Sequence, residues 1–285
     1  MKTSIPSIQS RLKNVAQRKN KTYQIILIRY FIERLIYRLS ISPFKNNFCL
    51  KGGALLYAFE QAVSRPTMDL DLLGLQIANE QTELKKIFQA ICQLPCADDG
   101  VSFIHESVTT SEIEKESKYS GIRLKIDARL GNIRQLMQID IGFGDVITPA
   151  PVEMSYPTLL PMPMPQILAY SVETVIAEKF EAMISLAALN SRMKDFYDIY
   201  GLFKNSSPNL EVLENAIHNT FQKRETAFSD NHVLFTKDFL ENDKRQQDWN
   251  AFLKKMNIEF VDFPTVMSLI TECLKPIYDK LKQEI

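Results

Sequence analysis

Asp69 and Asp71 are the residues of this chain best placed to do chemistry. They stand in Met68-Asp-Leu-Asp-Leu-Leu73, which reads as a strand stopped by Gly74. Successive strand side chains point to opposite faces, so both carboxylates project from one face while Leu70 and Leu72 enter the core. Two carboxylates that close repel each other, and a divalent cation removes the repulsion. Mg²⁺, with Mn²⁺ as a substitute, suits such a pair because it takes one or two carboxylates, retained waters and substrate phosphate oxygens. A third carboxylate on a neighbouring strand would complete a two-metal arrangement. Asp140 is the choice for that place, and Asp127 is its competitor, since both lie on a predicted hairpin whose pairing register is not readable from sequence.

The elements around these acids follow from local pattern. Phe48-Cys-Leu-Lys51 reads as a short strand stopped by Gly52-Gly53, and Ala54 to Glu60 then has good helix formers and no breaker. Free N–H groups and the helix dipole attract anions at such a start, and absent side chains permit close approach. Gly52 and Gly53 therefore suit the β and γ phosphates of a nucleoside triphosphate. Arg65-Pro66-Thr67 forms a turn before the acid strand. The Arg65 guanidinium could grip a phosphate or acceptor in bidentate fashion, or pair structurally with the strand acids. Gly121 to Leu130 alternates apolar and polar residues, Gly131-Asn132 supplies a tight turn, and Leu136 to Ile141 returns antiparallel carrying Asp140. Helical spacing covers Thr22 to Leu39 and Thr82 to Leu94.

From Thr148 to Pro165 come Pro149, Pro151, Pro157, Pro161, Pro163 and Pro165, which no helix interior or central strand accommodates, so this stretch reads as a linker between two lobes. Beyond it the pattern is helical over Ser171 to Leu189, Lys194 to Lys204, Leu210 to Arg224, Lys244 to Met256 and Pro264 to Leu281.

Composition narrows the class. With 285 residues and 45% hydrophobic content the chain can bury a sizeable core, and 34 basic against 34 acidic residues give no general pull towards nucleic acid or membrane. One local asymmetry stands out: Arg11, Lys13, Arg18, Lys19, Lys21, Arg29, Arg34 and Arg38 face only Glu33, as a solvated helix face or as a surface for RNA backbone. No apolar run spans a bilayer and no secretory signal opens the chain, so the cytoplasm is the expected location. The four cysteines form no disulfide framework and no zinc pattern.

Five motifs in order carry a resemblance: Leu50-Lys-Gly-Gly-Ala-Leu-Leu56, Arg65-Pro-Thr-Met-Asp-Leu-Asp-Leu-Leu-Gly74, Gln138-Ile-Asp-Ile-Gly-Phe-Gly-Asp145, Glu173-Thr-Val-Ile-Ala-Glu-Lys-Phe-Glu-Ala182 and Arg192-Met-Lys-Asp-Phe-Tyr-Asp198. In these the chain resembles the AbiEii/AbiGii toxin family of the DNA polymerase β-like nucleotidyltransferases. The resemblance implies an α+β fold: residues 1–47 as a helical segment packing on the catalytic lobe, 48–150 as a mixed-sheet nucleotidyltransferase lobe, 151–165 as the linker, and 166–285 as a helical lobe completing the active site. It also implies Mg²⁺ and NTP as cofactor and substrate, tRNA as acceptor, and a cognate antitoxin, in a toxin–antitoxin or phage-defence pair.

Carried over by position, Asp69 and Asp71 would bind metal, Gly52 and Gly53 would meet phosphate, Lys179 would contact the triphosphate, and Lys194, Asp195 and Asp198 would complete the cleft. A physical case accompanies the last four. Lys179 sits between Glu178 and Glu181 on an otherwise apolar helix, as a point charge for phosphate or as a salt-bridged surface lysine. Asp195 and Asp198 share a helix face, so either could pair with Lys194, orient Lys179, serve as base for an acceptor hydroxyl, or simply face solvent. Met68 departs from the basic residue that many relatives carry after Arg-Pro-Thr, which removes a phosphate contact but leaves both metal acids. Two rivals stay open: the same transfer to a small molecule or protein, and a silent nucleotide-binding module.

Overall fold

A computed structural model describes residues 4–60, 65–96, 98–113 and 121–284. The chain divides into two units, the first formed by Met1–Ala58, Pro66–Gly144 and Val152–Ala169, the second by Phe59–Arg65, Asp145–Pro151 and Tyr170–Ile285.

Pro6 lies in the first turn of helix α1 (Ile5–Arg18) and the Ser4 hydroxyl accepts from the Ser7 N–H, so this helix starts where proline costs nothing and a cap is present. Thr22 caps α2 (Tyr23–Ser40) in the same way. Strand β1 (Phe48–Lys51) leads directly into α3 (Gly52–Glu60), then come β2 (Asp69–Gly74) and α4 (Gln81–Gln93). The sheet continues with β3 (Val101–Ile113), β4 (Gly121–Leu130), β5 (Ile133–Gly142), β6 (Val152–Ser155) and β7 (Gln166–Ala169). Its seven strands lie in the order β3-β4-β5-β2-β1-β7-β6. The β2–β5 and β1–β7 pairs are parallel and the others antiparallel, giving the mixed sheet of an α+β fold.

The predicted elements of this unit are present within a few residues of their expected ends. Strand β3 lies outside the elements expected from the sequence, and its register against β4 shifts between Ile104 and Thr109. Ser107 fills the irregularity, its hydroxyl donating to the Ile104 carbonyl at 2.6 Å and accepting the Asp127 N–H at 2.8 Å. The proline-rich stretch expected as a linker carries sheet structure: β6 is the outermost strand and takes the proline-free residues Val152–Ser155, leaving the prolines in the loops on either side. The loop after it is fastened to α2, with the Leu159 N–H donating to Glu33 at 2.6 Å.

The basic stretch does not form one face. Arg29, Arg34 and Arg38 are buried, contrary to both the solvated-face and the RNA-surface expectation for α2. Each is matched inside the unit. The Arg29 guanidinium lies 3.5 Å from the centre of the Tyr57 ring, Arg34 pairs with Glu33 at 2.8 Å, and Arg38 donates to Asp99 at 2.8 and 3.2 Å and to the Val101 carbonyl at 2.8 Å. Burial pushes the Glu33 carboxyl up to about 7 despite Arg34. The basic residues of α1 remain at the surface, with Lys13 and Arg18 exposed.

The second unit is helical: α5 (Val172–Leu186), α6 (Met193–Asn205), α7 (Leu210–Arg224), α8 (Lys237–Leu240), α9 (Asp243–Met256) and α10 (Phe263–Gln283). Helix α5 ends at Leu186, earlier than expected, because Ala187 takes a positive φ of 47° and a short 3₁₀ turn follows. Phe180 sets its rotation by packing against Phe221 and Tyr278, with ring centres 5.8 and 6.2 Å away. Among the described residues no helix is long and apolar enough to cross a membrane.

Candidate active site

Strand pairing assembles the acids. In the parallel β2–β5 ladder Asp71 lies opposite Asp140 and Asp69 opposite Gln138, so the same-face pair on β2 meets an acid from the next strand. Leu70 and Leu72, which alternate with Asp69 and Asp71 along the strand, are fully buried, which locks the face each acid takes. One carboxylate oxygen from each of Asp69, Asp71 and Asp140 lies within 4.8 Å of the others. Three half-buried hard oxygen donors at this spacing fit a divalent cation of the Mg²⁺ or Mn²⁺ type. Asp127 is not in this group; it stands opposite Leu136, roughly 13 Å further along the hairpin at normal strand rise, and pairs with Arg134.

Both glycines of the turn are tied to these acids. A Cβ on Gly52 would lie 1.9 Å from Asp71 Oδ2, and one on Gly53 would lie 2.5 Å from Thr67 Oγ1. Gly52 also has φ +67°, the left-handed region that glycine enters without cost. Thr67 in turn donates its hydroxyl to Asp69 Oδ1 at 2.8 Å. One glycine thus makes room for Asp71 and the other for the threonine that orients Asp69, at the start of α3 where backbone N–H groups are unpaired within the helix.

Thr67, Arg123 and Gln138 did not emerge from sequence reading as site residues. Arg123 lies directly across the β4–β5 ladder from Asp140 and donates Nε to Oδ1 and Nη2 to Oδ2, each at 2.8 Å. With its amide turned to satisfy both groups, Gln138 accepts from the same two nitrogens at 3.2 Å. Asp140's hydrogen bonds outweigh the opposing effect of burial and, with the charges of Asp140, Asp69 and Asp71, hold the Arg123 proton more firmly than usual. A hairpin aligned on Gly131-Asn132 would have pointed to Arg123, because it sets Asp140 opposite that residue.

In the second unit Lys179 on α5 donates to Asp195 Oδ1 at 2.8 Å and to Asp198 Oδ2 at 2.7 Å, both on α6. Arg65 grips Asp198 with Nε at 2.9 Å and Nη2 at 3.0 Å, and Arg192 meets Asp195 at 2.7 Å. Asp195 and Asp198 are buried and Lys194 faces solvent, so the two acids are interior ion-pair partners and not surface helix acids. Burial alone would raise the Asp195 carboxyl, but Lys179 and Arg192 hold it below the usual range. Burial alone would lower the Lys179 amine, yet Asp195 and Asp198 raise it above its ordinary value.

Stability from Asp195 is present above the ordinary Asp value and lost as pH falls through the lowered one. Stability from Lys179 is present below the ordinary Lys value and lost as pH rises through the raised one. Lys179→Ala is expected to cost about 3 kcal/mol in urea unfolding at pH 7, because it leaves two buried carboxylates short of a partner. Asp195→Asn should lose its deficit against wild type below about pH 4. A Lys179→Ala protein that unfolds like wild type, or a deficit in Asp195→Asn independent of pH, would show that the network contributes little. A raised KM for NTP in folded Lys179→Ala would add the triphosphate contact that the motif implies.

A mixed sheet with strand-borne acids and a glycine turn opening a helix beside them defines the class as a nucleotidyltransferase. More particularly, the chain belongs to the AbiEii family, described as the nucleotidyl transferase AbiEii toxin of a type IV toxin–antitoxin system, whose profile matches residues 34–271. Two solved structures are similar in fold. JHP933 from Helicobacter pylori matches at 16% identity over 92% of this chain and 95% of its own, with TM-score 0.52. A structure from H. pylori described as a candidate nucleotidyltransferase matches at 16% identity over 91% and 97%, with TM-score 0.50. No curated protein matches the sequence. Membership implies a nucleotide substrate and an antitoxin partner.

Proposed function

We propose that this protein is a Mg²⁺-dependent nucleotidyltransferase that moves a nucleoside monophosphate from an NTP to a hydroxyl of tRNA, releasing pyrophosphate, as the toxin of an abortive-infection pair restrained by its antitoxin. The observation that carries this is the convergence of Asp69, Asp71 and Asp140. A divalent cation held by them would stabilise charge on the α-phosphate and ease deprotonation of the acceptor hydroxyl. The protein's own part is orientation. Thr67 aims Asp69, Gly52 lets Asp71 approach, and the N–H groups at the start of α3 bind the β and γ phosphates. Arg65 gives both bonds of its fork to Asp198, so we assign it to positioning that acid.

The acceptor assignment draws support from α1. Before Glu33 the chain has no acidic residue. Arg11, Asn14, Gln17 and Arg18 line a groove of about 600 Å³ with Leu159, Leu160 and Pro161, and a groove edged by arginine and amide groups suits the phosphates of an RNA backbone.

The test is incorporation of each α-³²P-NTP into total tRNA, with Mg²⁺ and with EDTA. Label in tRNA that needs Mg²⁺ supports the proposal; label in the protein itself or in a small metabolite moves the acceptor; no label with any acceptor sinks the enzymatic reading. Arg11→Glu/Arg18→Glu should weaken tRNA binding by tenfold or more and lower its salt slope by about 2. Unchanged affinity by fluorescence anisotropy would remove α1 from the acceptor surface.

A further inference from the structure

The third carboxylate of the acid cluster is already engaged. Both oxygens of Asp140 accept from the Arg123 fork at 2.8 Å, and Gln138 braces the same two nitrogens at 3.2 Å. Asp140 nonetheless presents an oxygen within 4.8 Å of ligand oxygens on Asp69 and Asp71. A carboxylate oxygen has two lone pairs, so a bidentate guanidinium leaves capacity on each oxygen but places a full positive charge beside it.

We propose that Arg123 is a positioning residue that shares Asp140 with the cation and sets the affinity of the acid cluster for it. The inference rests on the metal-site reading given above. Geometry supports it in two ways. Arg123 is the direct cross-strand neighbour of Asp140, so the pair is built into the ladder and does not depend on a chance side-chain encounter. Gln138, opposite Asp69 in the parallel ladder, then ties the guanidinium to the strand that carries Asp140. A cation drawing on Asp140 must share its electrons with Arg123 and tolerate the guanidinium charge nearby. The acid cluster consequently binds metal less tightly than three unencumbered carboxylates would.

Arg123 is about one-third exposed and its loss leaves no deeply buried group unpaired, so its variants should fold. The measurement is Mn²⁺ binding to the full chain without nucleotide, by electron paramagnetic resonance of free Mn²⁺. Arg123→Gln is expected to bind Mn²⁺ about tenfold more tightly than wild type, the scale of removing one unit charge from beside a divalent ion in a mostly aqueous setting. Arg123→Lys, which keeps the charge but loses the fork, should fall between them. In an Asp140→Asn background, where the tether is gone, the gain from Arg123→Gln should shrink to about twofold or less. Equal or weaker Mn²⁺ binding by Arg123→Gln, or an undiminished gain in the Asp140→Asn background, overturns the role of Arg123. Wild type that binds no Mn²⁺ overturns the metal site itself and this inference with it.

Discussion

Asp71→Asn is expected to lower nucleotidyl transfer by on the order of a thousandfold while leaving the fold intact. Asp71 lies opposite Lys51 on one side and Asp140 on the other, central among the paired strands. The asparagine is nearly isosteric, so the β2 ladder and the burial of Leu70 and Leu72 are undisturbed. What disappears is one negative charge and one hard ligand, and stabilisation by a bound cation is worth several kcal/mol at the transition state. The loss should appear in kcat as well as in Mn²⁺ affinity. Measured transfer within tenfold of wild type, with the melting temperature unchanged, would remove Asp71 from the metal site.

Gly52→Ala should be comparably damaging by another route. The new Cβ would lie 1.9 Å from Oδ2, 2.5 Å from Cγ and 2.6 Å from Cβ of Asp71, so rotating the carboxylate does not relieve the contact and backbone has to move. Alanine at φ +67° adds about 1 kcal/mol of conformational cost. Relief by displacing Asp71 dismantles the acid cluster; relief by displacing the start of α3 moves the proposed phosphate contacts. Either way transfer is expected to fall to the level of Asp71→Asn with a lowered melting temperature, and Mn²⁺ affinity falls with it where Asp71 is the group displaced. Retention of near-native transfer together with near-native Mn²⁺ binding would mean that the turn accommodates a side chain and that Gly52 has no part in holding Asp71 in place. Gly53→Ala should be milder in its effect on Mn²⁺, because it meets Thr67, which acts on Asp69 through a single hydroxyl.

Much of the site was legible locally. A period of two places Asp69 and Asp71 on one face whatever strand lies beside them, because Leu70 and Leu72 must be buried. Helix formers after Gly52-Gly53 require a strand–turn–helix there, and the longer helices of the second unit follow from apolar spacing along continuous stretches, though the four-residue α8 does not. Proline density marked the segment from Thr148 to Pro165 as non-helical, but the proline-free run within it, Val152–Ser155, forms an edge strand.

What the linear pattern left open depends on partners distant in sequence. On one side β2 pairs with β5, which carries Asp140, whereas Asp127 lies on β4 one strand further away; the parallel β2–β5 register then sets Asp140 opposite Asp71. Register is a choice among nearly equivalent local pairings, decided by how the whole sheet packs. The fate of charged residues is similarly non-local: Arg38 looks like a solvated lysine-type residue until Asp99 arrives to pair with it, and Asp198 looks like a surface acid until Lys179 and Arg65 close on it. A lone buried charge is too costly to expect from sequence, whereas a paired and hydrogen-bonded one is tolerated. Residue types and spacing therefore determined the chemistry available to this protein, while tertiary structure decided which acids share a site and which cations restrain them, because only folding brings the compensating charge within reach.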